Sequence, residues 1–157
     1  FRGLPQYAHI VHLWRTGYAM TGQDIVLAAR SQLNTPFMHQ GRLPGLALDC
    51  AGLVVVVAKL LNIPIDDQAG YSRTPAHGLL EAAVHEQPAI QFVRLSEISA
   101  GDILLMRFSG EPQHLAIFTG ETIIHAYERV GKVAEHRLDV AWRRRIVSAH
   151  RFIQVVA

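Results

Sequence analysis

The chain has 157 residues, of which 50% are apolar and 18% charged, a formal charge of +2, and one cysteine. That apolar fraction builds the core of one domain and excludes a disordered or fibrous chain. The longest unbroken apolar run, Leu53 to Ala58, is six residues, which excludes a membrane-spanning helix of about 20 residues, and a lone cysteine excludes an internal disulfide.

Charge is uneven. Residues 129–157 hold seven Lys/Arg against two acids, a net +5 that leaves −3 for residues 1–128. A solvated basic face accounts for this, and no basic motif interleaved with aromatics points to nucleic acid.

The first methionine is Met20. Residues 1–20 read as a leader, a remnant or an upstream extension, and residues 21–157 as a single domain. The opening residues lack the charged start and apolar stretch of a secretory signal. His9 and His12 share i, i+3 spacing, which opens a metal-site reading that has no third ligand to support it.

Thr21 and Asp24 form a capping-box pattern ahead of Ile25, Ala28, Ala29 and Leu33, predicting an amphipathic helix over 22–33. Asn34 to Pro36 stop it, and Phe37 to Leu48 reads as a loop. A second helix is expected to start at Cys50 behind Asp49 as N-cap and to run to Leu61, although the four valines from Val54 would equally suit a strand. Thr74 and Pro75 suit the cap and first position of a third helix, 76–87. Beyond Pro88 short apolar runs alternate with turn residues: 102–108, 114–119, 122–127, 133–138 and 144–153. Helices followed by antiparallel strands make an α+β domain.

At a helix N-terminus the free N–H groups and the macrodipole favour a thiolate at Cys50, and Gly52 would leave room for a substrate backbone beside it. The competing reading is a small buried hydrophobe. A two-residue turn at Gly120-Glu121 pairs Thr119 with Thr122. It then places His114, Ala116, His125 and Tyr127 on one sheet face, with the two imidazoles as diagonal neighbours within hydrogen-bond reach. A thiol, a base and a group orienting that base are what nucleophilic acyl transfer needs. Each histidine taken alone could instead be a satisfied core residue.

Asp49-Cys50-Ala51-Gly52-Leu53-Val54, Ala100-Gly101-Asp102-Ile103, His114 to Gly120 and Ile124-His125-Ala126-Tyr127 together resemble the successive motifs of NlpC-type cell-wall cysteine peptidases. Thr35 to Gly41, and Trp142 to Ile146 with Arg151-Phe152, resemble the phage-tail branch of that family. The resemblance spans residues 24 to 152. It implies a papain-like fold with N-terminal helices packed on an antiparallel sheet, and a cysteine endopeptidase cutting a peptidoglycan stem peptide, typically between D-γ-glutamate and meso-diaminopimelate. By that match Cys50 is the nucleophile, His114 the base and His125 the orienting group, with the Cys50 N–H contributing to the oxyanion hole. Asp49, Phe37, His39 and Arg42 would contact substrate, and Asp49 is equally explained as a helix cap. No cofactor and no metal are implied. Phe37 and Ala51 replace the Tyr and Ser of many members, removing two hydroxyls. The expected partners are the stem peptide and phage or phage-like tail proteins, with no nucleic acid and no membrane, and the place of action is the periplasm or cell wall, reached on a tail. A secreted antibacterial effector with the same chemistry and a structural tail-tip module with weak or no activity are the alternatives.

Overall fold

The computed structural model describes residues 18–68, 70–71 and 78–156. His9, His12, Thr74 and Pro75 lie outside the described residues.

The strand β1 (Met20–Thr21) leads into helix α1 (Gly22–Arg30). The capping box is present: Asp24 accepts from the Thr21 N–H at 2.8 Å and from the Thr21 hydroxyl at 3.0 Å. Ile25, Val26, Ala28 and Ala29 form the buried stripe. The helix stops three residues short of Leu33, because residues 31–34 turn and Asn34, at φ 70°, donates its N–H to Val133 instead of continuing the ladder.

The expected loop 37–48 holds a miniature hairpin, β2 (Arg42–Leu43) and β3 (Ala47–Leu48), whose strands are too short to leave a periodic signal. Helix α2 (Cys50–Leu60) follows, and the valine run is helical. Asp49 caps it through the Gly52 N–H at 2.7 Å. Every residue from Gly52 to Ala58 is buried, so packing on all sides overrides the strand preference of valine. Helix α3 (Leu79–His85) is shorter than expected and starts after Gly78 in the left-handed region at φ 71°.

Six strands form one antiparallel sheet in the order β4-β9-β5-β6-β7-β8: β4 (Ile90–Val93), β5 (Ile103–Met106), β6 (His114–Phe118), β7 (Thr122–Tyr127), β8 (Lys132–Arg137) and β9 (Ile146–Phe152). The pairs Ile117↔Ile124 and Phe118↔Ile123 confirm the two-residue turn and its register. Strand β4 was not expected. It is an edge strand whose Phe92 is 65% exposed, so it carries no inward-outward alternation. A short helix, α4 (Val140–Arg143), lies before β9, capped by Asp139 on the Trp142 N–H. Strand β10 (Val155–Val156) returns to pair in parallel with β1, so Met20 belongs to the fold.

Leu53, Val57, Ile103, Leu105, Leu115, Ile117, Ile124 and Phe152 fill the core between helices and sheet. Leu104, Met106, Ala116, Phe118, Ile123 and Ala149 form a second layer on the opposite face, covered by Trp142, Ile98 and Ile146. Arg151 fastens the β5 turn to β9 by donating to both oxygens of fully buried Asp102, at 2.7 and 2.8 Å. Among the described residues no helix is long and apolar enough to cross a membrane.

Candidate active site

Cys50 sits at the first position of α2, half-buried. The first helical N–H groups have no partner inside a helix. The Asp49 carboxylate takes one of them, that of Gly52, and the N–H groups of Cys50 and Ala51 lie at the thiol-bearing turn. The backbone N–H groups of Ala51 and of Leu115, the residue after His114 on β6, favour the charged form of the thiol. The start of β6 thus lies beside the start of α2. Cys50 and His114 line the same cleft of about 740 Å³.

His114 Nε2 and His125 Nδ1 are 2.6 Å apart, with the rings edge to face at 4.9 Å. The engaged Nε2 leaves Nδ1 as the nitrogen of His114 available to the thiol. Both imidazoles are buried, at 4% and 0% exposure. Burial and the neighbouring imidazoles hold His114 well below its usual range. Burial, then His136, takes His125 down to about 3.

Two expectations need correction. The helix dipole is not the largest influence on the thiol: burial, with the Asp49 carboxylate adding to it, pushes Cys50 up to about 11 against the opposing Leu115 and Ala51 N–H groups and Arg42. Desolvation of a charged sulfur opposes the partial charge at a helix end. Nor does Gly52 make room for substrate. It faces the protein's own loop, where an added Cβ would lie 2.0 Å from the Gly41 carbonyl oxygen.

Asp49 is 4% exposed and its carboxylate is full. One oxygen accepts from Gly52 N–H and from Arg42 Nη1 at 3.0 Å. The other accepts from the Gln40 N–H at 2.8 Å and the Tyr71 hydroxyl at 2.5 Å. The cap reading holds, and the residue also anchors the loop that carries Arg42. That guanidinium is tied further to Asp67 at 2.9 Å, the Gly41 carbonyl at 3.0 Å and the Tyr71 hydroxyl at 2.7 Å. Phe37, His39, Arg42 and Asp49 all line the cleft, as does Tyr71. The His39 ring packs edge-on against Tyr71 at 5.5 Å and reaches its carbonyl at 3.1 Å.

Two participants escaped the sequence, and a third, Trp142, stood in a motif with no site role assigned to it. Tyr71 lies in a stretch without periodicity. His136 on β8 places its Nε2 2.8 Å from His125 Nε2, and the diagonal rule that paired His114 with His125 would have found it had the β7–β8 turn been assigned. Trp142 covers the histidines, its ring 5.1 Å from His125 and 4.7 Å from His136. Phe108 and Tyr127 complete the aromatic cover, stacked at 5.5 Å, and Arg145 lies over Phe108 and Trp142.

A half-buried thiol at a helix start, with paired imidazoles on an adjoining antiparallel sheet, defines a papain-like cysteine peptidase architecture. The family model for NlpC/P60 matches residues 34–151, and the chain is 33% identical over 125 residues to a probable endopeptidase of Corynebacterium glutamicum, across 77% of this chain and 50% of that one. The chain belongs to the NlpC/P60 family, a family of cysteine peptidases. It spans about half the length of the curated relatives it matches. Among solved structures, a NlpC/P60 family protein from Bacillus cereus superposes with a TM-score of 0.66 at 18% identity, over 87% of this chain and 41% of that one. The NlpC/p60 domain of the peptidoglycan hydrolase SagA does so at 0.58 and 24% identity, over 83% and 97%. The peptidoglycan hydrolase RipB of Mycobacterium tuberculosis matches at 0.60 and 17% identity, over 100% and 74%. These likenesses speak to the fold.

Proposed function

We propose that this chain hydrolyses an amide bond of a peptidoglycan stem peptide, the one joining D-γ-glutamate to meso-diaminopimelate. The observation that carries the reading is that Cys50 and His114 line one cleft, with His114 bonded behind it to His125. The names of SagA and RipB, both peptidoglycan hydrolases, support the substrate class. Cys50 Sγ attacks the amide carbon while His114 Nδ1 takes the thiol proton, so the sulfur becomes nucleophilic only as the proton leaves. The N–H of Cys50 donates to the oxyanion, a contribution of about 10² to 10³ in rate. His114 returns the proton to the departing amine. Water, deprotonated by the same nitrogen, then splits the thioester, and His125 orients His114 throughout.

Phe37, His39, Arg42 and Asp49 form the wall along which the stem peptide lies. Arg42 and Asp49 act as a unit, since each fills the other's valences. The Tyr71 phenol lies on the same wall, its hydroxyl engaged by Asp49 and Arg42. Delivery on a phage or phage-like tail is the setting proposed, on the resemblance of the 35–41 and 142–146 segments to that branch.

The test is mass spectrometry of diaminopimelate-type muropeptides after incubation with the protein. Products split after D-γ-glutamate support the assignment; cleavage at another bond, or none by folded protein, overturns it.

A further inference from the structure

We propose that His136 is a positioning residue of this site, the third imidazole of a chain whose far end, the Arg137 carbonyl, sets the tautomer of His114 and leaves its Nδ1 bare for the thiol. The inference rests on the assignment of Cys50, His114 and His125 above.

The argument is one of donors and acceptors. His136 Nδ1 is 2.9 Å from the Arg137 carbonyl oxygen. A carbonyl accepts only, so Nδ1 of neutral His136 carries the hydrogen and its Nε2 is a lone pair. That lone pair is 2.8 Å from His125 Nε2, which must therefore donate, making His125 Nδ1 an acceptor. His125 Nδ1 is 2.6 Å from His114 Nε2, which must donate in turn. Each neutral ring holds one hydrogen, so His114 Nδ1 has none. The chain has one consistent polarity, and it is the polarity a general base needs. Without the carbonyl, two tautomers of His114 compete and only one can accept a proton at Nδ1.

Geometry holds the chain in place. On the sheet His125 faces Ala134 and His136 faces Ile123, so His125 and His136 are diagonal neighbours on one face, repeating across β7–β8 the relation of His114 to His125 across β6–β7. Trp142 packs on both rings and keeps water from offering His125 Nε2 a substitute partner. His114 and His125 are buried while His136 is half-buried, so the chain ends where a backbone group fixes its direction.

Three variants separate this role from a merely structural one. His136→Gln offers a carbonyl oxygen to His125 Nε2, His136→Leu offers nothing, and His136→Lys offers only donors, which reverses the polarity. Steady-state kinetics on muropeptides should show kcat falling about 10- to 100-fold in His136→Leu and further in His136→Lys, with KM little changed and most of the loss recovered in His136→Gln. Nitrogen-15 NMR of the histidine side chains should place the hydrogen on His114 Nε2 in the parent and His136→Gln, and on Nδ1 in His136→Lys. Leu and Lys variants with parental kcat and an unmoved His114 tautomer would overturn the proposal while leaving the catalytic reading intact. Turnover that survives in Cys50→Ala would overturn that reading itself.

Discussion

Asp49→Asn replaces one oxygen with an NH2 group and nothing else, and its effect can be worked from four contacts. The oxygen receiving Gly52 and Arg42 can remain an oxygen, so the helix cap persists in weaker, uncharged form. The other position meets the Gln40 N–H, which can only donate, and the Tyr71 hydroxyl, which can rotate to accept. One buried donor is thus set against another. An unsatisfied buried N–H costs about 1–3 kcal/mol, and weakening charge-assisted bonds adds to it. The total is about 2–4 kcal/mol, which for a domain of this size lowers Tm by about 5–15 °C. Arg42 retains Asp67, so the loop is loosened rather than released. The same change removes the carboxylate that raises Cys50, so the thiol becomes more acidic than about 11. Thermal unfolding followed by circular dichroism, and iodoacetamide alkylation rate against pH, read the two effects separately. A Tm within 2 °C of the parent, or a thiol titration unmoved or shifted upward, would refute this account of the Asp49 network.

Gly52→Ala brings a Cβ to 2.0 Å from the Gly41 carbonyl oxygen. Since backbone on both sides must move, urea unfolding should show a loss of about 2 kcal/mol or more, and an unchanged midpoint would contradict the packing. Asp102→Ala leaves Arg151 without its buried partner and should cost about 3–5 kcal/mol in the same assay, a loss under 1 kcal/mol being the contrary result. Burial holds His125 near 3 and, with His85 adding, His150 near 4, against 6.5 unfolded. The unfolded chain therefore binds more protons below pH 6.5, and stability falls with falling pH until the folded values are reached. Each group removes about 2 kcal/mol at pH 5 relative to pH 7.5. Urea midpoints measured over that range should decline steadily, before carboxylates titrate, and a flat profile would be inconsistent with buried neutral imidazoles.

What the sequence revealed follows from how local each signal is. The β6–β7 register was readable because a two-residue turn leaves one pairing, and that register alone brought His114 to His125. The α2 start was readable because Asp49 and Cys50 are adjacent. Tyr71 was hidden because its partners, Arg42 and Asp49, are 29 and 22 residues away and its own stretch has no period. His136 depended on a longer turn, Glu128 to Gly131. The upward push of burial on the thiol was hidden because the helix end is visible in sequence whereas burial is a property of the assembled fold.

The most direct test of the central claim is muropeptide turnover by the parent chain beside Cys50→Ala, with both proteins shown folded. Product formation by the parent and none by the variant is the expected result. Equal turnover by both would show that Cys50 is not the nucleophile.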